Sequence, residues 1–150
     1  MREVVRWSLA PLPDEAPRHL LGIGDVDDIL DAVAAGVDTF DCATPTRLAR
    51  HGTALVPDPA NRFRLDLKKS ASRASRAPIA ADCPCQACRE HSRAYLHYLA
   101  RAGELTAARL LTLHNLTFMA ALMRGVRAAI AAGQLCGYRD RVMAGAWPSV

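Results

Sequence analysis

Leu20-Leu21-Gly22-Ile23-Gly24, followed by Val37-Asp38-Thr39-Phe40-Asp41, is the stretch that decides the fold. The first run reads as a short buried strand ending in glycines. Between the runs, Asp25 or Asp27 can cap a helix whose apolar face is Val26, Ile29, Leu30 and Val33, with Gly36 as its stop. The second run is another short strand, closed by Asp41. Strand, helix and strand in so little chain predict a βαβ unit, hence parallel strands and a right-handed crossover. The fold class is α/β.

Upstream, Val4, Val5 and Leu9 recur at helical spacing until Pro11 and Pro13 end the pattern. Downstream the texture changes. Residues 44–82 hold a turn at Pro45-Thr46-Arg47 and possible hairpin strands near 54–56 and 63–67. The basic, serine-rich run Lys68-Lys69-Ser70-Ala71-Ser72-Arg73-Ala74-Ser75-Arg76 follows. That run reads equally as a mobile RNA-contacting loop and as a solvated linker. Helical periodicity then covers about 86–101, a short helix 104–110, and a long one from about 113 to 132 stopped by Gly133. Leu116, Met119, Leu122, Met123 and Val126 are the expected buried stripe of the last helix. The stretch to Val150 reads as irregular. The expected organisation is 1–60 as βαβ part, 61–82 as basic loop, 83–135 as helical subdomain and 136–150 as tail.

The chain of 150 residues is one domain's worth of sequence, and half of it is apolar. No apolar run approaches membrane-spanning length. The N-terminal MREVVRWSLAPLPDEAP lacks the apolar stretch and cleavage site of a secretory signal, so the cytoplasm is the expected location. A formal charge of +4 fits a nucleic-acid partner without requiring one.

Five cysteines, an odd number, point to a reducing compartment and metal ligation. Three are packed as Cys83-Pro84-Cys85-Gln86-Ala87-Cys88. Thiolates this close converge readily on one ion, and a soft sulfur-rich set favours zinc, with iron the rival. Spacing leaves the fourth ligand open between His91, three residues beyond Cys88, and His114 on the next long helix. Cys42 and Cys136 remain as expected small buried hydrophobes.

Ligands in parallel α/β folds meet the carboxyl ends of strands, which makes a carboxylate there a functional candidate. Asp38 and Asp41 lie an odd number of residues apart and face opposite sides of an extended strand. Asp41 enters the turn and is the better reactive group; Asp38 reads as structural. Arg47 and Arg50 follow at a spacing that suits phosphate contacts.

The segment 40–52 (FDCATPTRLARHG), the cysteine triplet, the run 92–99 (SRAYLHYL), Ala102-Gly103-Glu104 and 110–115 (LLTLHN) together resemble the tRNA-guanine transglycosylases, also called queuine tRNA-ribosyltransferases, in their bacterial branch. The similarity covers residues 2–135. It implies the C-terminal part of a (β/α)₈ TIM barrel, incomplete in this chain, with a mostly helical zinc-binding subdomain. It implies a pentosyltransferase of queuosine biosynthesis that exchanges the wobble guanine of a tRNA anticodon loop for a 7-deazaguanine base. Asp41 would be the nucleophile on the ribose, and Cys83, Cys85, Cys88 and His114 the ligands of one structural zinc. Arg47 and Arg50 match tRNA-contacting positions, and Gly22 and Gly24 the glycine turn near the base pocket. His19-Leu20-Leu21 stands where bacterial members usually read Tyr-Leu-Met. A closed barrel needs at least ~200 residues, so the chain is expected to be a C-terminal fragment, inactive alone. A homodimer is a further expectation from the resemblance. The alternative is a non-catalytic, zinc-containing tRNA-binding or dimerisation subunit.

Overall fold

The computed structural model describes residues 2–148. The chain forms two compact units, one ending at Thr44 and the other beginning at Pro45.

The first unit runs α1 (Arg2–Leu9), β1 (His19–Leu21), α2 (Val26–Ala34) and β2 (Thr39–Asp41). β1 and β2 pair in parallel, with His19 opposite Thr39, Leu20 opposite Phe40 and Leu21 opposite Asp41, as the βαβ reading requires. Asp25 occupies the N-cap of α2, and Val26, Ile29, Leu30, Ala32 and Val33 are buried. Gly36, at φ +102°, closes the helix in a conformation that suits a residue without Cβ. Asp38 lies just ahead of β2 rather than inside it. Its Oδ2 accepts from the Arg18 backbone N–H at 2.8 Å, and its own N–H donates to the Arg18 carbonyl at 2.9 Å. The carboxylate thus extends the strand pairing by one step, a structural use. The expectation that β1 is buried is corrected: Leu21 is 70% exposed, and the sheet has two strands among the described residues.

The second unit contains α3 (Thr44–Arg50), an antiparallel hairpin of β3 (Thr53–Leu55) and β4 (Arg64–Asp66), and the helices α4 (Gln86–Glu90), α5 (Arg93–Ala102), α6 (Leu105–Ala131) and α7 (Leu135–Met143). (α3 opens one residue before the boundary.) Its core joins Ala54, Val56 and Leu67 of the hairpin region to Ile79, Ala87, Leu96, Leu99, Leu110 and Leu111. Most residues here are helical. No helix among the described residues is long and apolar enough to cross a membrane.

Several expectations change in this unit. The turn expected at Pro45-Thr46-Arg47 is instead part of α3. The helix expected over 86–101 breaks at His91, because Ser92 caps α5: its Oγ accepts from the Tyr95 N–H at 3.2 Å. The two helices expected over 104–132 are one, since no glycine or proline interrupts the sequence from Leu105 to Arg124. Its buried face is Leu111, His114, Phe118, Leu122 and Val126; of the expected stripe, Leu122 and Val126 are buried, Met119 and Met123 half-buried, and Leu116 is 47% exposed. The stretch from 136 is not irregular, because α7 packs on α6 and buries Tyr138 and Val142. The close approach depends on Gly125, where a Cβ would overlap the Tyr138 phenol.

The basic run is a loop anchored at several points. Ser70–Ser72 form a 3-10 turn with Ser72 buried. The segment after it is stitched to α5: the Ala94 N–H donates to Ser75 O, and Arg93 donates to the carbonyls of Ala77, Pro78 and Ile79.

Candidate metal centre and strand-end carboxylate

Cys83 and Cys85 lie on the loop entering α4, Cys88 on its first turn, and His114 in the middle of α6. Their ligand atoms all lie within 4.8 Å of one another. The His114 Nδ1 is 3.4 Å from Cys83 Sγ, 3.6 Å from Cys85 Sγ and 3.3 Å from Cys88 Sγ. A tetrahedral zinc with its usual bond lengths sets a sulfur–nitrogen edge of about 3.6 Å. Three soft sulfurs and an imidazole nitrogen at that spacing fit one zinc ion and leave no position for a further ligand. His91 is excluded: it adopts an extended backbone beyond α4, and its ring packs on Tyr95 at 5.0 Å.

The surroundings fix the imidazole. His114 is fully buried, and its Nε2–H donates to the Leu55 carbonyl at 2.7 Å. That bond leaves Nδ1 as the lone-pair nitrogen aimed at the sulfurs. Asn115, also fully buried, completes the clamp. Its Oδ1 accepts from the Leu55 N–H at 2.7 Å, and its Nδ2 donates to Pro45 O at 2.9 Å and Thr53 O at 3.1 Å. Trp147 packs edge-on to Phe118 at 5.2 Å, one turn of α6 beyond His114.

Four donors this close compete for protons when no cation offsets them. Cys83 is pushed far above the ordinary thiol range, first by its bond to Cys85. Cys85 is pulled far below that range as the acceptor from Cys83 and Cys88. For His114, burial favours the neutral ring, but the Cys85 and Cys88 sulfurs together outweigh it and raise its pKa to about 9. Three sulfurs and an imidazole nitrogen gathered this closely suit a cation, which offsets the charge their deprotonation brings together.

The first unit gathers Gly22, Gly24 and Asp41. The Gly22 N–H donates both to the Asp41 carbonyl and to Asp41 Oδ1, each at 2.9 Å. Gly22 does so at φ +74°, where a side chain would be strained. At Gly24 a Cβ would sit 2.6 Å from Cys42 Sγ, so only glycine lets the two segments close. Asp41 itself is exposed at the carboxyl end of β2. Cys42 is half-buried rather than a core hydrophobe, with Sγ bonded to Thr44 Oγ1 at 2.9 Å, and Cys136 is exposed. Arg47 and Arg50 lie one turn apart in the last turn of α3, both exposed.

Sequence reasoning missed Asn115 and Leu55. An asparagine beside the ligand histidine on an otherwise apolar helix face was the available signal.

A family model described as queuine tRNA-ribosyltransferase matches residues 1–146. Among curated relatives of that same description, the protein of Roseiflexus sp. (strain RS-1) is 51% identical over 139 residues, covering 93% of this chain and 35% of the relative. That of Symbiobacterium thermophilum is 42% identical over 139 residues, covering 93% and 34%. That of Pelotomaculum thermopropionicum is 41% identical over 140 residues, covering 93% and 37%. The chain therefore spans about a third of the length of these relatives.

Proposed function

Because this chain belongs to the queuine tRNA-ribosyltransferase family, we propose that it is the C-terminal part of a tRNA-guanine transglycosylase. In this reading it carries the nucleophile and the structural metal site but not the whole barrel. β1, α2 and β2 are the end of a TIM barrel completed by strands outside the chain, and the chain is inactive without them. The substrate is the anticodon loop of a tRNA, and the incoming group is a 7-deazaguanine base of queuosine biosynthesis. The cytoplasm and a homodimer complete the proposal.

The observation that carries it is the bond from the Gly22 N–H to Asp41 Oδ1, with Asp41 at the carboxyl end of a parallel strand. Binding substrates at that end of a barrel is the rule for the fold. With Oδ1 held, Oδ2 is the oxygen that attacks the ribose anomeric carbon. The carbon–nitrogen bond to guanine breaks, and an ester-like Asp–ribose bond forms. Guanine leaves as its ring-nitrogen anion and takes up a proton; the incoming base gives up the proton of its attacking ring nitrogen, bonds to the same carbon and releases the carboxylate. Carboxylates serve this way where positive charge develops on the sugar, as in retaining glycosidases. Splaying the target base is cheap in a single-stranded loop. Arg47 and Arg50 position the RNA backbone, and the Gly22–Gly24 turn keeps side chains away from the base. Cys83, Cys85, Cys88 and His114 would hold a zinc ion that ties the cysteine loop and α4 to α6, and with these four ligands filling it the ion would serve structure rather than the reaction.

The test joins this chain to the missing strands and incubates it with substrate tRNA before denaturation. A protein–RNA adduct that survives denaturation, and that Asp41→Asn abolishes, is the expected result. An adduct retained by the amide variant would overturn the assignment.

A further inference from the structure

Beyond α7 the chain turns back onto α6, and its last described residues lie against the metal centre. Trp147 is half-buried there, its ring 6.3 Å from the His114 imidazole and edge-on to Phe118 at 5.2 Å. We infer that residues 144–148 are a strap over the metal centre, latched by Tyr138, whose opening sets how fast zinc enters and leaves. The inference rests on the zinc site described above and not on the chemistry proposed for Asp41. Trp147 and Pro148 lie beyond the residues 1–146 that match the family model, so that match does not carry the strap.

Local sequence makes the turn. α7 ends at Met143, and the N–H groups of Ala144, Gly145 and Ala146 donate back to carbonyls of its last turn. Gly145 stands at φ +92°, where a side chain would be strained, and a Cβ there would come 3.1 Å from the Pro57 carbonyl oxygen. The chain reverses tightly at this glycine and sets Trp147 on α6. Pro148 follows and is buried.

Tyr138 is the latch. Its Oη lies 3.1 Å from the Leu122 carbonyl and 3.2 Å from that of Pro148. A phenol has one proton, so a single O–H is shared between the body of α6 and the strap.

The cover is held more lightly than what it covers. His114 and Phe118 are fully buried on a long helix, and the imidazole is tied to the Leu55 carbonyl. The strap is held by a shared hydrogen bond and an edge-on ring pair. Each is worth a factor of roughly 2–12 in an opening equilibrium. Segments held this way open while the rest of the fold stays intact. Zinc with four ligands leaves when a competing donor reaches it, and Cys83, Cys85 and His114 are all buried. Some element must move first, and Trp147 lies on the imidazole side.

The test follows zinc transfer from the intact, zinc-loaded chain to an excess of a chromogenic pyridylazo chelator, with metal content measured beforehand. Trp147→Ala should still hold one zinc per chain and release it about tenfold faster. Trp147→Phe keeps a ring against Phe118 and should stay within about threefold of the unsubstituted chain. Tyr138→Phe keeps the buried ring, loses the shared O–H and should release about threefold faster. Release should respond weakly to urea, because opening residues 144–148 exposes little surface, whereas release by global unfolding follows urea as steeply as the melt does. The strap is overturned if loaded Trp147→Ala releases zinc at the unsubstituted rate, or if release from the unsubstituted chain carries the full urea slope. Should Trp147→Ala not fold, an unchanged rate in Tyr138→Phe overturns it instead. A chain that takes up no zinc overturns the metal centre and the strap together.

Discussion

His114 reaches the metal site with one ring nitrogen and the Leu55 carbonyl with the other, the latter at 2.7 Å. One side chain therefore joins α6, the cysteine loop and the β3–β4 hairpin. Asn115 takes the Leu55 N–H, so both polar groups of one strand residue are satisfied by consecutive helix residues. The open edge of β3 is capped by side chains where another sheet would place a strand.

Metal removal should loosen more than the cysteine loop. Elemental analysis of reduced protein should give one zinc per chain, and a strong chelator should lower the melting temperature sharply. Structural zinc sites contribute roughly 10 kcal/mol or more in small domains. Cys85→Ser should reproduce the loss. A chain that melts identically with and without chelator would contradict the site.

Zinc uptake should release protons, and affinity should rise with pH. Without metal, His114 holds its proton up to about 9 and Cys83 holds its own well above the usual thiol range. Both must be given up to the ion. In the metal-free chain the sign reverses: the raised His114 pKa supports folding fully below about 6.5, the ordinary value, and that support is lost as pH rises through about 9. Calorimetry in buffers of different ionisation heat counts the protons. A count near zero at neutral pH would refute the protonation pattern.

Asn115→Ala should cost about 2–4 kcal/mol, since it leaves the buried Leu55 N–H and two carbonyls without their partner. Zinc should stay at one per chain, because His114 and the cysteines are untouched. Urea midpoints, with metal content measured in parallel, separate the two effects.

Burial pushes the Tyr138 hydroxyl up to about 12, against a smaller opposing effect of Arg141. Its Oη–H faces the carbonyls of Leu122 and Pro148 at 3.1 and 3.2 Å, partners that suit the neutral phenol. Because the unfolded chain ionises this group first, its support for the fold is complete below about pH 10 and is lost as pH climbs through about 12. The loss is on the order of 2 kcal/mol. Tyr138→Phe should lack that slope when urea midpoints are compared across the range; an unchanged slope would count against it.

Gly24→Ala should destabilise the first unit by about 1–3 kcal/mol, because the new methyl must displace the Cys42 and Thr44 side chains. Gly103→Ala should cost less. It has open space around it and bears only the left-handed backbone cost, about 1 kcal/mol. Equal losses at both positions, measured as melting shifts, would show that steric crowding is not the deciding effect at Gly24.

The parts legible in sequence were those encoded locally. The βαβ unit was readable because Ile29, Leu30 and Val33 repeat at helical spacing between two short apolar runs, with Gly36 marking the stop. The cysteine triplet announced a metal for the same reason. What failed depended on distant chain. Spacing could not choose between His91 and His114, because the choice rests on α4 ending at Glu90 and on Leu55 orienting the distant ring. In α6, Leu122 and Val126 were rightly placed in the core but Leu116 was not, because its long, largely apolar surface offers more than one candidate face, and α4, α5, α7 and the hairpin select among them. The basic run looked mobile by composition, yet main-chain bonds to α5 hold the segment.

The β1–β2 pair has no third strand on either border among the described residues, and Leu21 projects beside it. Main-chain amides and carbonyls along such a border act as a splice for any extended peptide that arrives. Neighbouring strands from the same polypeptide would turn the splice into sheet. Copies of the chain lacking those neighbours would clasp one another there, so solubility becomes a readout of whether the sheet has been continued.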